Sequence, residues 1–261
     1  MSTAHTTYHT QGPLATLTFN RPETHNAMTW EMYQALLEAC DRADRDADVR
    51  VFILRGAGGK AFVAGTDISQ FRSFDGREDG LRYEERLDQV LDRLEQVGKP
   101  TIAQVQGVAA GGGCAIALTC DLRVATADST FGIPIARTLG NCLSGATYSR
   151  LVDLVGPGRV KEWLFTGRFV PAAEAHALGL VNRIVADEDV ERAVHELALE
   201  IAGNAPLTLR ATKEMIRRIT ARRRLAAGED SDLIELCYSS ADFREGVTAF
   251  LAKRRPQWTG T

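Results

Sequence analysis

The sequence predicts an α/β fold built on a mainly parallel sheet, because strand and helix patterns alternate through its first half. Residues 13–20, 49–55 and 101–106 are short apolar runs typical of buried strands. Helical patterns at 29–45 and 80–97 separate these runs, so crossover helices join consecutive parallel strands. On this alternation alone we expect one open, doubly wound sheet.

The helix predicted over 29–45 shows how the elements are recognised. Its residues Met32, Leu36 and Cys40 recur at helical spacing and form one apolar face. Thr29 precedes the first turn, where a threonine hydroxyl accepts a free backbone N–H. We therefore expect Thr29 to cap this helix.

After Gly156 helical patterns dominate, and only residues 180–185 resemble a strand. The predicted helices cover 158–166, 171–178, 188–202, 206–225 and 240–253. We expect this helical part to pack on the sheet or on a neighbouring subunit. The arginines at 217–224 are offset by acidic residues at 229–232, which favours a solvated helix face or intersubunit ion pairs over contact with nucleic acid.

Composition narrows the class of protein. The 261 residues are 44% hydrophobic and 25% charged, as in soluble globular proteins, and the net charge of −3 gives no reason to expect a nucleic-acid partner. The five cysteines are odd in number and lack CxxC spacing, so we expect reduced thiols, a cytoplasmic location and no metal site. No apolar run approaches the ~20 residues that span a bilayer, so no membrane association is expected.

Two glycine-centred loops are the strongest candidates for a site. Residues 111–113 are glycines between the strand at 101–106 and a helix predicted over 113–119, an arrangement that suits an anion, an oxyanion or close packing. Residues 61–68, AFVAGTDI, follow the strand at 49–55. Loops at the carboxyl ends of parallel strands face one crevice, so an amide from each can hold the same carbonyl oxygen. Each donor of such an oxyanion hole is worth about 3 kcal/mol.

Five segments occur in an order and spacing typical of one protein family. They are RPETHNAM (21–28), KAFVAGTDI (60–68), GGGCAIALTCDLRVAT (111–126), FGIP (131–134) and FREGVTAFLAKRRPQW (243–258). In these segments the chain resembles the crotonase, or enoyl-CoA hydratase/isomerase, superfamily over nearly its whole length. The resemblance implies a crotonase-type spiral of β-β-α repeats over 1–195, in place of a flat sheet. It also implies a C-terminal helical trimerisation region over 196–261, a homotrimer or homohexamer, and an acyl-CoA substrate.

The resemblance also assigns site residues by position. The oxyanion hole would consist of the backbone amides of Thr66 and Gly112. Contacts with coenzyme A would come from His25, Asn26, Ala27, Ala64, Gly65, Asp67, Ile68, Phe250 and Lys253. Coenzyme A would enter as part of the substrate, with no permanently bound cofactor. Phe250 also fits a core position and Lys253 a solvated helix end, so both structural alternatives stay open.

The chain departs from this family at the positions of its acid and base. Where the hydratases carry glutamates after GGGC and FGxP, this sequence has Ala115 and Ile135. Neither side chain can transfer a proton, so hydration by paired glutamates is unsupported, and Ile135 also argues against the single-glutamate isomerases.

Three polar residues remain as catalytic candidates near the acyl end. Arg137 is a fixed charge that could bind a carboxylate or stabilise an enolate. Asn141 could make a polar contact with the acyl group. Cys142 could act as a nucleophile if its pKa is lowered. The structural alternatives are a surface ion pair for Arg137, a helix cap for Asn141 and a small buried side chain for Cys142.

These observations favour an acyl-CoA enzyme, a lyase or an isomerase, that stabilises a thioester enolate. Overall resemblance implies hydration, whereas the missing glutamates point to another lyase, isomerase or hydrolase activity on a functionalised acyl group. The alternatives are a coenzyme A-binding protein without catalysis and an RNA-binding member of the family that uses the arginine cluster.

Overall fold

The computed structural model describes residues 2–3, 5–226 and 228–261. Met1 and Ala4 of the predicted core region 1–195, and Ala227 of the predicted C-terminal region 196–261, lie outside the described residues. The strands are β1 (Ser2–Thr3), β2 (Thr6–Gln11), β3 (Leu14–Phe19), β4 (Val51–Gly56), β5 (Ala61–Val63), β6 (Thr101–Val105), β7 (Val108–Ala110), β8 (Leu122–Thr126), β9 (Thr130–Gly132), β10 (Val170–Pro171) and β11 (Arg183–Val185). The helices are α1 (Trp30–Arg45), α2 (Arg77–Glu95), α3 (Gly112–Thr119), α4 (Ile135–Thr138), α5 (Gly145–Val155), α6 (Pro157–Thr166), α7 (Ala172–Ala177), α8 (Val190–Ala202), α9 (Pro206–Ala221), α10 (Ser231–Tyr238) and α11 (Ala241–Leu251).

The strands form two sheets. The larger has the order β1-β2-β3-β4-β6-β8-β11 and the smaller the order β10-β9-β7-β5. From β3 onward the larger sheet is parallel, and so are the pairs β5·β7 and β7·β9 of the smaller one. The prediction of parallel strands is therefore confirmed, whereas the prediction of one flat, doubly wound sheet is wrong.

Each repeat of the fold places one strand in each sheet before its helix. β4 and β5 precede α2, β6 and β7 precede α3, and β8 and β9 precede α4. This is the spiral of β-β-α repeats that the resemblance implies. The second strand of each repeat has three residues, too few to show a period of two, which is why the sequence pattern predicted a single sheet.

The larger sheet is buried on both faces and separates two apolar cores. In β4, Phe52 and Leu54 belong to the main core, which α1, α2 and α3 cover. Val51 and Ile53 point the other way and pack beneath Val194 of α8. The main core holds the two glycine loops in place.

The predicted helices are present, with ends that shift by a few residues. Thr29 caps α1 by accepting the amide of Met32 at 3.3 Å, as the sequence predicts. The helix predicted over 206–225 ends at Ala221, and the strand predicted over 180–185 shortens to β11. The sequence patterns missed α4 and α10, and they predicted α5 only as a helix that a residue near Asn141 caps.

Carboxylates neutralise most of the arginine run at 217–224. Four arginines form ion pairs: Arg217 and Arg218 with Glu214, Arg223 with Asp153, and Arg224 with Glu95. These ion pairs lie within one chain and use carboxylates other than those at 229–232, so intersubunit ion pairs stay a prediction.

The five cysteines are free thiols. Across the ranges that the structure describes, none of the helices combines the length and apolarity needed to cross a membrane. The same ranges contain no group of three or more His, Cys, Asp or Glu side chains suited to a metal ion.

Candidate active site

A cavity of about 340 Å³ opens where β5 and β7 end. Its walls come from the loop after β5, the first turn of α3, the middle of α2, the segment around α4, and α11. The lining residues include Ala64, Gly65, Thr66, Tyr83, Glu84, Gly111, Gly112, Ala115, Ile135, Leu139, Asn141, Leu143 and Phe250. The two glycine loops thus face one crevice, as the parallel strands predict.

The two loops touch through their backbones. A Cβ atom on Gly65 would lie 3.3 Å from the carbonyl oxygen of Ala110, and one on Gly111 would lie 3.7 Å from the Cα of Gly65. Gly65 and Gly111 also have φ angles of 107° and 50°, a region that favours glycine. Glycine at both positions lets the loops meet at this distance.

Two backbone amides of these loops have no acceptor among the described residues. The amide of Met28 donates to the carbonyl of Gly65, and the carbonyl of Met28 accepts from the amide of Asp67, which forms a parallel β-bridge between Met28 and Thr66. In such a bridge the N–H of Thr66 points away from Met28. Gly112 begins α3, where a first-turn N–H has no partner within the helix. The amides of Thr66 and Gly112 are therefore both available to a ligand in the cavity.

Buried hydroxyls hold the side chain of Thr66. Its Oγ1 lies 2.7 Å from Tyr33 Oη and 2.9 Å from Tyr83 Oη. Burial raises the pKa of Tyr33 to about 12 and the pKa of Tyr83 well above its usual value, so both phenols stay protonated. Sequence reasoning missed both tyrosines because they lie on the core faces of α1 and α2, where an aromatic side chain indicates only packing.

A buried carboxyl group, Glu84 of α2, also lines the cavity. The residue is 2% exposed. Its Oε1 accepts from Tyr238 Oη at 2.5 Å, and its Oε2 accepts from the amide of Ser144 at 2.9 Å. Burial raises the pKa of Glu84 to about 8, because the interior disfavours the charged form. Asn141 donates from Nδ2 to Tyr238 Oη at 3.0 Å, and its buried Oδ1 has no partner among the described residues.

Sequence reasoning missed Glu84 because α2 carries many acidic residues. The available signal is its spacing: Glu84 precedes Leu87, Leu91 and Leu94 by three, seven and ten positions and so shares their buried face. A carboxyl on the apolar face of a helix is a candidate functional group, whereas its exposed neighbours are not.

The structure brings most of the predicted site residues to the cavity wall. They are His25, Ala27, Ala64, Gly65, Thr66, Asp67, Ile68, Gly112, Asn141 and Phe250. Asn26 instead lies behind the wall, 1% exposed, and donates from Nδ2 to the carbonyls of Ala57 and Ala61 at 3.0 and 2.8 Å.

Three other predicted residues lie elsewhere. Arg137 is exposed in an adjoining cleft that shares Phe250 with the cavity. Cys142 is buried in a neighbouring cavity of about 520 Å³ beside Cys237. The hydrogen bond with Cys237 is the largest cause, and burial the second, of a raised pKa that keeps the Cys142 thiol protonated. Lys253 is exposed just after α11.

The two positions that the resemblance associates with glutamates lie at the wall. Ala115 of α3 and Ile135 of α4 are both buried and line the cavity with Leu139 and Leu143. These positions therefore contribute apolar side chains to the cavity, and Glu84 is the one Asp or Glu besides Asp67 among the described residues that line the cavity.

Known proteins resemble this chain over nearly all of its length. The family model for enoyl-CoA hydratase/isomerase matches residues 9–261. The short-chain-enoyl-CoA hydratase of Clostridium acetobutylicum is 35% identical over 246 residues, which cover 94% of each chain. The crotonyl-CoA hydratase of Syntrophomonas wolfei is 36% identical over 244 residues, or 93% of each chain. A solved methylmalonyl-CoA decarboxylase complexed with 2S-carboxypropyl CoA matches with a TM-score of 0.91 at 30% identity, covering 100% of both chains.

Proposed function

The chain belongs to the enoyl-CoA hydratase/isomerase family, and we propose that it stabilises the enolate of an acyl-CoA thioester with the amides of Thr66 and Gly112. The observation that carries this proposal is the pair of amides without acceptors in one crevice. Two N–H groups aimed at one oxygen stabilise the negative charge that develops on a thioester carbonyl. Neither amide has to reorganise for this purpose, because the loops are fixed by their contact at Gly65 and Gly111.

The reaction that best fits the wall is the decarboxylation of a short 2-carboxyacyl-CoA. Loss of CO₂ produces the enolate without a base that removes a proton, so the apolar Ala115 and Ile135 are no obstacle. Apolar lining by Leu139 and Leu143 destabilises a desolvated carboxylate relative to neutral CO₂. The similarity to the methylmalonyl-CoA decarboxylase supports the same reaction.

Hydration of an enoyl-CoA is the second candidate. Relatives at 35% and 36% identity are named hydratases. Against this candidate, paired carboxylates that activate a water have no counterpart at Ala115 and Ile135.

The coenzyme A is proposed to follow the wall from Ala64 past His25 towards Phe250. Beyond Phe250 lies the exposed cleft with Arg137 and Arg255, where fixed positive charge suits the phosphates of the nucleotide. Lys253 at the end of α11 remains a candidate for the same contact. In this proposal Arg137 binds the coenzyme and has no part in the chemistry.

Turnover assays separate the candidate functions. Purified protein is incubated with methylmalonyl-CoA and, separately, with crotonyl-CoA, and the products are identified by mass spectrometry. We expect propionyl-CoA and CO₂ from the first substrate and slow or no hydration of the second. Rapid hydration of crotonyl-CoA would make hydration the function. Calorimetric binding of coenzyme A with no product from either substrate would leave a binding protein without catalysis.

We further propose that the region 196–261 forms a trimer or hexamer interface. Its helices expose large apolar side chains, including Leu207, Met215, Ile216 and Ile219 of α9 and Leu233 and Leu236 of α10. Such a surface is costly for a monomer in water. Light scattering coupled to size-exclusion chromatography measures the mass directly, and a monomer at micromolar concentration would contradict this proposal.

The cytoplasm is the proposed location, since five free thiols suit a reducing compartment. Binding to RNA is disfavoured because four arginines of the cluster already pair with carboxylates. A gel-shift titration at low salt with structured RNA tests this point, as binding there would revive the alternative.

A further inference from the structure

We propose that Glu84 is the acid that protonates the α-carbon of the enolate. The inference rests on the proposed function, because it assigns the proton that an enolate held by Thr66 and Gly112 must receive. Glu84 comes from α2, whereas the family positions replaced by Ala115 and Ile135 lie on α3 and α4. All of these residues line the same cavity.

The hydrogen bonds of Glu84 leave its own proton for the cavity. Tyr238 Oη donates to Oε1, and the amide of Ser144 donates to Oε2. Each carboxyl oxygen therefore already accepts one hydrogen bond. When Glu84 is protonated, its O–H needs a third acceptor, and the cavity is the ligand-accessible space that the carboxyl borders.

The surroundings of Glu84 favour its neutral form. The titratable groups that interact with it come from every element packed around it: Tyr33 of α1, Tyr83 and Asp88 of α2, Cys142, Tyr148 of α5, Asp230, and Tyr238 of α10. The raised pKa values of the tyrosines and of Cys142 keep them protonated and uncharged, so the negative charge beside Glu84 comes from Asp88 and Asp230. Burial and these two carboxylates raise the pKa of Glu84 to about 8 against the lowering effect of its hydrogen bonds from Tyr238 and Ser144, so Glu84 holds a proton near neutral pH, as a proton donor requires.

A structural role alone does not account for a carboxyl at this position. Glutamine could accept from the amide of Ser144 and interact with Tyr238 Oη through its amide group, while avoiding the burial of an ionisable group. What glutamate adds to these contacts is a transferable proton.

For a 2-carboxyacyl-CoA, decarboxylation precedes the proton transfer. The bond between the α-carbon and the carboxylate breaks, CO₂ leaves, and the electron pair forms the enolate held by the two amides. The O–H bond of Glu84 then breaks as a new C–H bond forms at the α-carbon. The carboxylate left on Glu84 takes a proton from water before the next turnover.

The test compares wild type, Glu84→Gln and the matched control Glu85→Gln on whichever substrate the wild type converts. Glu85 is the next residue of α2 and is exposed outside the cavity lining, so the same exchange there removes a carboxyl from the helix without changing the cavity. We expect Glu84→Gln to lose about 100-fold or more in turnover, the usual scale of a general acid, and to retain acyl-CoA binding. Glu85→Gln should stay within about threefold of wild type.

Stereochemistry distinguishes proton delivery from a structural effect. With methylmalonyl-CoA in D₂O, wild type should place deuterium on one face of the α-carbon, whereas the residual product of Glu84→Gln should be mixed. If crotonyl-CoA is the substrate instead, the same measurement applies to the α-carbon of the hydrated product. Turnover within threefold of wild type or retained stereospecificity in the folded variant would overturn the role of Glu84.

Tyr238→Phe supplies a readout in the pH profile. The rate of wild type should fall as pH rises through about 8, where Glu84 loses its proton. Removing the Tyr238 hydroxyl removes a donor that stabilises the carboxylate, so the fall should move to higher pH. An unmoved profile contradicts the proposal. Wild type that converts neither substrate refutes the proposed function and this role with it, whereas active wild type with equally active Glu84→Gln refutes only the role of Glu84.

Discussion

The phenol oxygen of Tyr33 lies 2.7 Å from the hydroxyl oxygen of Thr66. Tyr33 belongs to α1 and Thr66 to the loop after β5, so this contact ties the first helix to one half of the candidate oxyanion hole. A Cβ atom at Gly112 would lie 2.7 Å from the same phenol oxygen and 3.4 Å from Thr66 Oγ1. One tyrosine hydroxyl therefore borders both proposed donors.

Replacing Thr66 with valine should destabilise the protein more than it impairs an amide-based site. The variant keeps the backbone N–H but removes the hydroxyl that bonds to both Tyr33 and Tyr83, so each buried phenol loses one of its partners, at a cost of about 1–3 kcal/mol. Thr66→Ser keeps the hydroxyl and is the control. Urea unfolding measures both free energies, and equal stability of the two variants would show that the hydroxyl network contributes nothing.

Gly112→Ala should lower turnover by about 100-fold, the usual effect of losing one oxyanion donor. The added methyl group meets Tyr33 Oη at 2.7 Å, so the first turn of α3 has to move. Gly158→Ala in α6 is the control, because its Cβ meets nothing within 4 Å. The double variant Gly112→Ala/Tyr33→Phe removes the clashing oxygen and should recover part of the activity; no recovery would assign the loss to another cause.

The raised pKa of Glu84 predicts that the free energy of unfolding depends on pH. Burial raises it from the usual 4.5 to about 8, so between these values the folded state holds a proton that the unfolded state releases. The stability contributed by this group is present below about pH 4.5 and is lost as pH rises towards 8, by at most ~1.4 kcal/mol per pH unit. Glutamine at position 84 does not titrate, so the free energy of unfolding of Glu84→Gln should increase relative to that of wild type as pH rises over this range. Parallel stability curves from pH 5 to 8 would show that the carboxyl has an ordinary pKa.

Asn26→Asp should destabilise the loop that carries His25 and Ala27. Asn26 Oδ1 accepts from the amide of Arg21 at 2.9 Å, and its Nδ2 donates to two carbonyls. Aspartate retains the acceptor but places an oxygen against those carbonyls, which we expect to cost about 1–3 kcal/mol and to weaken acyl-CoA binding. The same exchange at the exposed Asn20 is the control for added charge, and matched melting temperatures of the two variants would contradict the prediction.

Features carried by contiguous residues could be predicted well. The alternation of strands and helices, the Thr29 cap and the two glycine loops depend on neighbours within a few positions. The small second sheet could not be predicted in the same way, because β5, β7 and β9 are too short for a periodic pattern and gain their stability from pairing with one another.

The amino-acid order of this protein establishes its family, places Thr66 and Gly112 in facing loops, and puts Ala115 and Ile135 where the family has glutamates. These properties are readable because each depends on residue identity at a motif position. The meeting of Glu84 with Ser144 and Tyr238, across separations of 60 and 154 residues, depends on the faces that α2, α5 and α10 turn towards one another. Packing of whole helices sets that orientation, and the same packing desolvates Glu84 and changes an ordinary surface residue type into a candidate proton donor.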